Sequence, residues 1–227
     1  MSLPDILRSL SDTVGELVPG PGSTLRTLIQ KYFKHRAELA CAILLEEIGN
    51  GEKLPAEATS TEGAIGPIVR YLRAAHEGAA RINLRLLAKA LVGNARAGTL
   101  VADEFLLYAD ALATLSRDEV FVVAELYRAQ LQIADRPFAR TTQGPGSQPW
   151  GIAATRLKDL GWDAGKIRAA ATRALRSGLV VAATQSGLNS SGQWIFSPSN
   201  MLLDLAKTVD FDDVLRAEAR APSETST

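Results

Sequence analysis

Cysteine, histidine and net charge are all scarce in this 227-residue chain, which carries one cysteine, two histidines and 25 Lys+Arg against 25 Asp+Glu. A lone thiol at Cys41 can form no intrachain disulfide, so the chain is expected to work in a reducing, cytoplasmic compartment. His35 and His76 stand far apart, with no cysteine pair and no HExxH spacing beside them. That excludes the common zinc ligand sets, and no metal or cofactor is expected. A formal charge of zero rules out a histone-like polycation but leaves room for a local basic patch balanced elsewhere. Long apolar runs are missing too. The most apolar stretch, Leu39 to Leu45, is bracketed by Glu38 and Glu46, far short of the roughly 20 residues that span a bilayer. Asp5 and Asp12 fall where a secretory signal would be hydrophobic.

Catalytic signatures are equally scarce. Gly144-Pro145-Gly146 lacks the lysine and helix start that a phosphate loop needs. Cys41 sits inside an apolar helical run, where burial raises a thiol's pKa, so core packing is its expected role. Glu46-Glu47 and Asp212-Asp213 are adjacent carboxylates; helix neighbours point about 100° apart and do not converge on one substrate bond, so both pairs are expected in solvent. Asp103-Glu104 and Asp118-Glu119 fall at helix starts, where negative charge complements the macrodipole. No catalytic residue is assigned, and a non-enzymatic role is expected.

What is present is an ordinary globular composition, 46% hydrophobic and 22% charged, in a length that suits one large or two small domains. Ile6, Leu7, Leu10, Val14, Leu17 and Val18 fall on one helical stripe, which Pro19-Gly20-Pro21-Gly22 ends. Ser23 can cap a longer helix reaching Gly49, and residues 50 to 62 read as a loop. A third long helical pattern runs from Ala64 to Leu91, with Gly78 marking a kink or close crossing inside it. Phe105 to Leu115 gives a short helix. Ser116 with Glu119 makes a capping box for a helix over Val120 to Leu131. The stretch 136–149 is rich in Pro, Gly, Thr and Gln and reads as a long connection.

Beyond it the pattern changes. Trp150 to Leu160 forms a short helix ended by Gly161, and Asp163 caps a second from Ala164 to Ser177, stopped by Gly178. Leu179-Val180-Val181 then reads as a strand, Ser186 to Gly192 as a turn, and Trp194-Ile195-Phe196 as the returning strand. A last helix follows Pro198, capped by Ser199 or Asn200. This order, with the turn at Leu160-Gly161, the segment ALRSGLV at 174–180 and the glycine-rich loop, resembles a winged helix-turn-helix domain over residues 115–208. The expected fold is therefore mainly α: a helical association or regulatory domain over 1–114, the winged α+β domain with its small hairpin over 115–208, and an acidic segment over 209–227 whose last residues are disordered.

The second helix of that motif carries the functional expectation. Ile167, Ala171, Ala174 and Leu175 cluster on one side, and Lys166, Ala169, Thr172, Arg173 and Arg176 on the other. Gly165 and Ala169 would allow close approach of a backbone. Residues 136–207 hold nine Lys/Arg against three Asp/Glu, a local charge of +6, against −3 for 1–135 and −3 for 208–227. Excess positive charge is what phosphate contact requires. The expected contacts to double-stranded DNA are Lys166, Arg168, Thr172, Arg173 and Arg176 on the helix, with Asn189 and Ser190 on the wing. Trp150, Trp162 and Trp194 are assigned to packing. A homodimer is expected, because winged-helix binders read two half-sites and the first two helices carry long apolar stripes.

Across the whole chain, the helical front, the LSRDE segment at 115–119 and ALRSGLV look like Abi-alpha-type prokaryotic proteins, which are associated with phage abortive infection. That resemblance implies a role in phage–bacterium conflict and carries no residue-level assignment. The alternative is a protein-interaction or assembly factor whose winged unit and helical stripes bind other subunits, a reading that zero net charge favours. A membrane-surface role is ranked last, since the leading helix pairs Arg8 with Asp5, Asp12 and Glu16, the wrong sign for anionic lipid.

Overall fold

A computed structural model describes residues 23–49, 62–98, 102–134, 149–184 and 194–220. The expected helix over 6–18, the loop 50–61, most of the connection at 136–149, the turn 186–192 and the segment beyond Arg220 lie outside the described residues. The described elements are mainly helical, with one small two-stranded antiparallel sheet. The chain divides into two compact units, Met1–Ala113 with Glu218–Thr227, and Thr114–Ala217.

The first unit holds α1 (Ser23–Gly49), α2 (Glu62–His76), α3 (Arg81–Ala97) and α4 (Ala102–Ala113). The apolar periodicity of these segments buries Ile43 and Leu44 of α1, Tyr71 and Leu72 of α2, Leu84, Leu86 and Leu87 of α3, and Phe105 and Leu112 of α4. Each such side chain contributes roughly 1.5–3 kcal/mol on leaving water. The one polar atom that Tyr71 carries into this core is satisfied, its hydroxyl donating to the Ala40 carbonyl at 2.8 Å. The long pattern from Ala64 to Leu91 is two helices rather than one. Gly78 adopts φ +89°, a left-handed backbone that breaks the i→i−4 ladder and turns the chain between α2 and α3. The Gly78 and Ala79 amides close the turn on the Ala75 and Ala74 carbonyls.

The buried Glu47 corrects the solvated placement expected for Glu46-Glu47. Its carboxylate lies 3.1 Å from Arg85 and 3.0 Å from Lys89, both on α3, while Glu46 meets the same Arg85 at 3.0 Å. The two neighbours do diverge, as helix geometry requires, but α3 packs against the side on which Glu47 falls. Cys41 is half-buried on α1, and burial followed by the nearby Glu38 charge raises its thiol pKa.

The second unit is built around α5 (Arg117–Ala134), which packs against α6 (Pro149–Asp159) and α7 (Ala164–Ala174). A 3-10 turn (Leu175–Ser177), β1 (Val180–Thr184), β2 (Trp194–Pro198), α8 (Asn200–Leu205) and α9 (Phe211–Arg220) follow. β1 and β2 pair with Val180 opposite Pro198, Ala182 opposite Phe196 and Thr184 opposite Trp194. Alternation puts Val180, Ala182 and Phe196 on one face; Val180 and Phe196 are buried there, and Phe196 packs on the Trp150 ring at 4.7 Å. The capping box forms reciprocally, with Glu119 N donating to Ser116 Oγ at 3.3 Å and Ser116 N donating to Glu119 Oε2 at 2.5 Å. Ser199 caps α8 by accepting from Leu202 N. α9 was not anticipated: the acidic segment after 208 contributes Val209, Phe211 and Val214 to the core, and Arg128 bridges Glu125 to Asp212, so Asp212 is not simply solvated.

Candidate nucleic-acid interface

The tight turn between α6 and α7 is set by Gly161, whose φ of +84° places Leu160-Gly161-Trp162 across the end of α6, with Trp162 N donating to the Leu157 carbonyl. Asp163 then caps α7 by accepting from Lys166 N at 2.8 Å. A Cβ added to Gly165 would stand 3.0 Å from the Asp163 carboxylate, so this glycine makes room for the cap as well as leaving the outer surface low.

α7 buries Ile167, Ala170, Ala171 and Ala174 and exposes Lys166, Arg168, Ala169, Thr172 and Arg173. This is the two-faced arrangement that the 3.6-residue period predicts, with Ala170 added to the inner face and Leu175 only half-buried. The exposed face forms an open concavity lined by Ala164, Gly165, Arg168, Ala169, Thr172 and Arg173. Small residues form its floor and two arginines and a threonine its rim, a shape and chemistry that can receive a phosphodiester backbone or a base edge.

The predicted contact residues do not behave alike. Arg176 is a bracket between helices. Its guanidinium faces both oxygens of the fully buried Glu119, at 2.7 and 3.0 Å, and also donates to the Thr114 carbonyl at 2.7 Å. Arg173 stands 3.9 Å from the same carboxylate, a longer and weaker pairing. Lys166 lies 3.3 Å from Asp118 and 4.0 Å above the Trp162 ring, so its charge is shared between a carboxylate and a π-face. Arg168 has no ion pair or hydrogen bond among the described residues. Thr172 is exposed beside it. Asn189 and Ser190 lie outside the described residues.

Sequence reasoning thus missed the two carboxylates that organise the face. The sequence assigns Asp118 to the α5 dipole and Glu119 to the dipole and the capping box, yet the N-terminus of α5 lies against α7 and supplies a counter-charge to Lys166, Arg173 and Arg176, three of the four cations on α7 and the 3-10 turn that follows it. The capping box was the available signal. It fixes the Glu119 carboxylate over the first turn of α5, and the packing of α7 and the 3-10 turn against that end is what buries it and brings cations to it. Trp194 also departs from its packing assignment, standing half in solvent, whereas Trp150 and Trp162 pack on Phe196 and Phe121.

Comparison with protein-family models, with curated proteins and with solved structures finds no match. No helix among the described residues is long and apolar enough to cross a membrane, and no group of three metal-ligating side chains occurs among them.

Proposed function

We propose that the Thr114–Ala217 unit is a winged helix-turn-helix module that contacts double-stranded DNA without catalysing a reaction, with α7 as its groove-reading helix. The observation that carries this reading is the outward face of α7: Arg168, Thr172 and Arg173 rim a floor of Gly165 and Ala169, while Ile167, Ala170, Ala171 and Ala174 hold the opposite side in the core. The succession of two short helices across a glycine turn, a hairpin and a capped final helix supports the winged arrangement. Within it, Arg168 and Arg173 are the principal phosphate contacts, Lys166 is a secondary one, and Arg176 holds α7 on α5. The sequence resemblance to Abi-alpha-type proteins supports a role for such a contact in phage–bacterium conflict.

One observation favours a second reading, a protein-interaction module. Asp118 and Glu119 already neutralise much of the positive charge on α7. Salt separates the two. Binding of a random duplex followed by fluorescence anisotropy is expected to weaken about tenfold between low and physiological salt for two to three phosphate contacts. An apolar protein interface barely changes over that range. Absence of duplex binding even at low salt overturns the DNA reading.

A further inference from the structure

α1 turns Ala37, Ala40, Ile43 and Leu44 toward the other helices of its unit, but nearer its start Leu28 and Tyr32, one turn apart, are 60% and 49% exposed. Lys31, Lys34 and His35 surround them and are exposed as well. From Ser23 to Ala37 the helix carries four Lys/Arg and no carboxylate. The next acid, Glu38, stands 4.0 Å from Lys34, and both are largely in solvent. An apolar strip inside a cationic surround fits an amphipathic helix with acidic flanks.

Residues 5–18 lie outside the described residues, and their sequence carries that chemistry. Ile6, Leu7, Leu10, Val14 and Leu17 recur at three-and-four spacing, Asp5, Asp12 and Glu16 outnumber Arg8, and Pro19-Gly20-Pro21-Gly22 leads directly into Ser23, the first residue of α1. Four residues is an ordinary length for the connection of an antiparallel helical hairpin. A 14-residue helix is about 21 Å long and matches α1 from about residue 24 to residue 38. In that register Val14 comes level with Leu28, Leu10 with Tyr32, and Asp12 with Gln30, next to Lys31. We propose that residues 5–18 dock on the Leu28–Tyr32 face of α1, so that the chain supplies its own acidic partner to this surface.

Hydrogen exchange of the full-length chain, read by mass spectrometry, tests the proposal. The amides of residues 7–18 are expected to exchange at least about tenfold more slowly than in a free peptide, the protection that docking confers. Leu28→Glu with Tyr32→Glu should return them to free-peptide rates while α3, whose core neither side chain enters, keeps its protection. Lys31→Glu with Lys34→Glu should weaken the protection, and adding Asp12→Lys should restore it. Free-peptide exchange of 7–18 in the wild-type chain overturns the proposal, as does protection indifferent to Leu28→Glu/Tyr32→Glu. Protection that falls on dilution together with a dimeric mass assigns the face to a second copy and overturns docking within one chain.

Discussion

Glu47 in the first unit and Glu119 in the second are both buried carboxylates that face two cations, and the difference lies in the cations. Arg85, 4% exposed, is as buried as the Glu47 it pairs with at 5%, and Lys89 is nearly so. That cluster joins α1 to α3 and keeps Glu47 and Arg85 out of water, with the half-exposed Glu46 meeting Arg85 from the solvent side. Arg173 and Arg176 are 49% and 48% exposed although Glu119 is wholly buried, so one side of each guanidinium is held and the other faces water. A buried acid with buried partners is a rivet, whereas a buried acid with exposed partners is an anchor that preorganises cations on a surface. Arg168 extends that contrast, being the cation of α7 that is neither riveted nor anchored.

The contrast can be broken most severely at the Glu47 cluster. Replacing Arg85 with methionine keeps volume but leaves Glu47 with one cation fewer in a buried site, and should cost about 3 kcal/mol of stability by denaturant unfolding, with DNA affinity unchanged. Glu119→Gln removes the anchor and weakens the capping box together, for an expected loss of about 2 kcal/mol. A loss in Glu119→Gln larger than in Arg85→Met would reverse the comparison.

A smaller effect comes from pH. His76 stacks on Phe33 at 5.2 Å, its Nε2 is buried without a hydrogen-bond partner, and Arg36 occupies the nearby Ala75 and Ala79 carbonyls. Burial, then the Arg36 charge, lowers its pKa. The folded protein therefore takes up this proton less readily than the unfolded chain, so the contribution is intact above the ordinary histidine value of about 6.5 and is lost as pH falls below it. Denaturation midpoints at pH about 7.5 and about 5.5 should differ in that direction, and His76→Phe should flatten the difference. The smallest effect is expected at Asp118→Asn. An exposed pair contributes under about 1 kcal/mol, so stability should hardly move. Freeing Lys166 should raise DNA affinity a few-fold.

Much of the architecture was legible because it rests on local rules. The capping box at Ser116, the caps at Asp163 and Ser199, the glycine stops at Gly161 and Gly178, and the two faces of α7 each follow from spacing within one element. What escaped depends on which element packs on which. The burial of Glu47 needs α3 alongside α1. The pairing of Arg176 with Glu119 needs the 3-10 turn after α7 beside α5, 57 residues away in the chain. α9 escaped because the acidic residues around Phe211 and Val214 outweighed two buried side chains in a short, polar segment. The sequence marks Gly78 as a kink or a close crossing within one long helical pattern, and the chain turns there between two helices, since periodicity alone does not tell a bent helix from two helices.

Charge reversal at Arg168 tests the central claim most directly, because this residue makes no contact on which the fold depends. Duplex affinity at low salt by fluorescence anisotropy, measured beside the thermal unfolding midpoint, should fall at least about tenfold in Arg168→Glu, roughly 1.4 kcal/mol, with the midpoint unchanged. Unchanged duplex affinity in a folded Arg168→Glu protein would contradict the assignment of the α7 face to DNA.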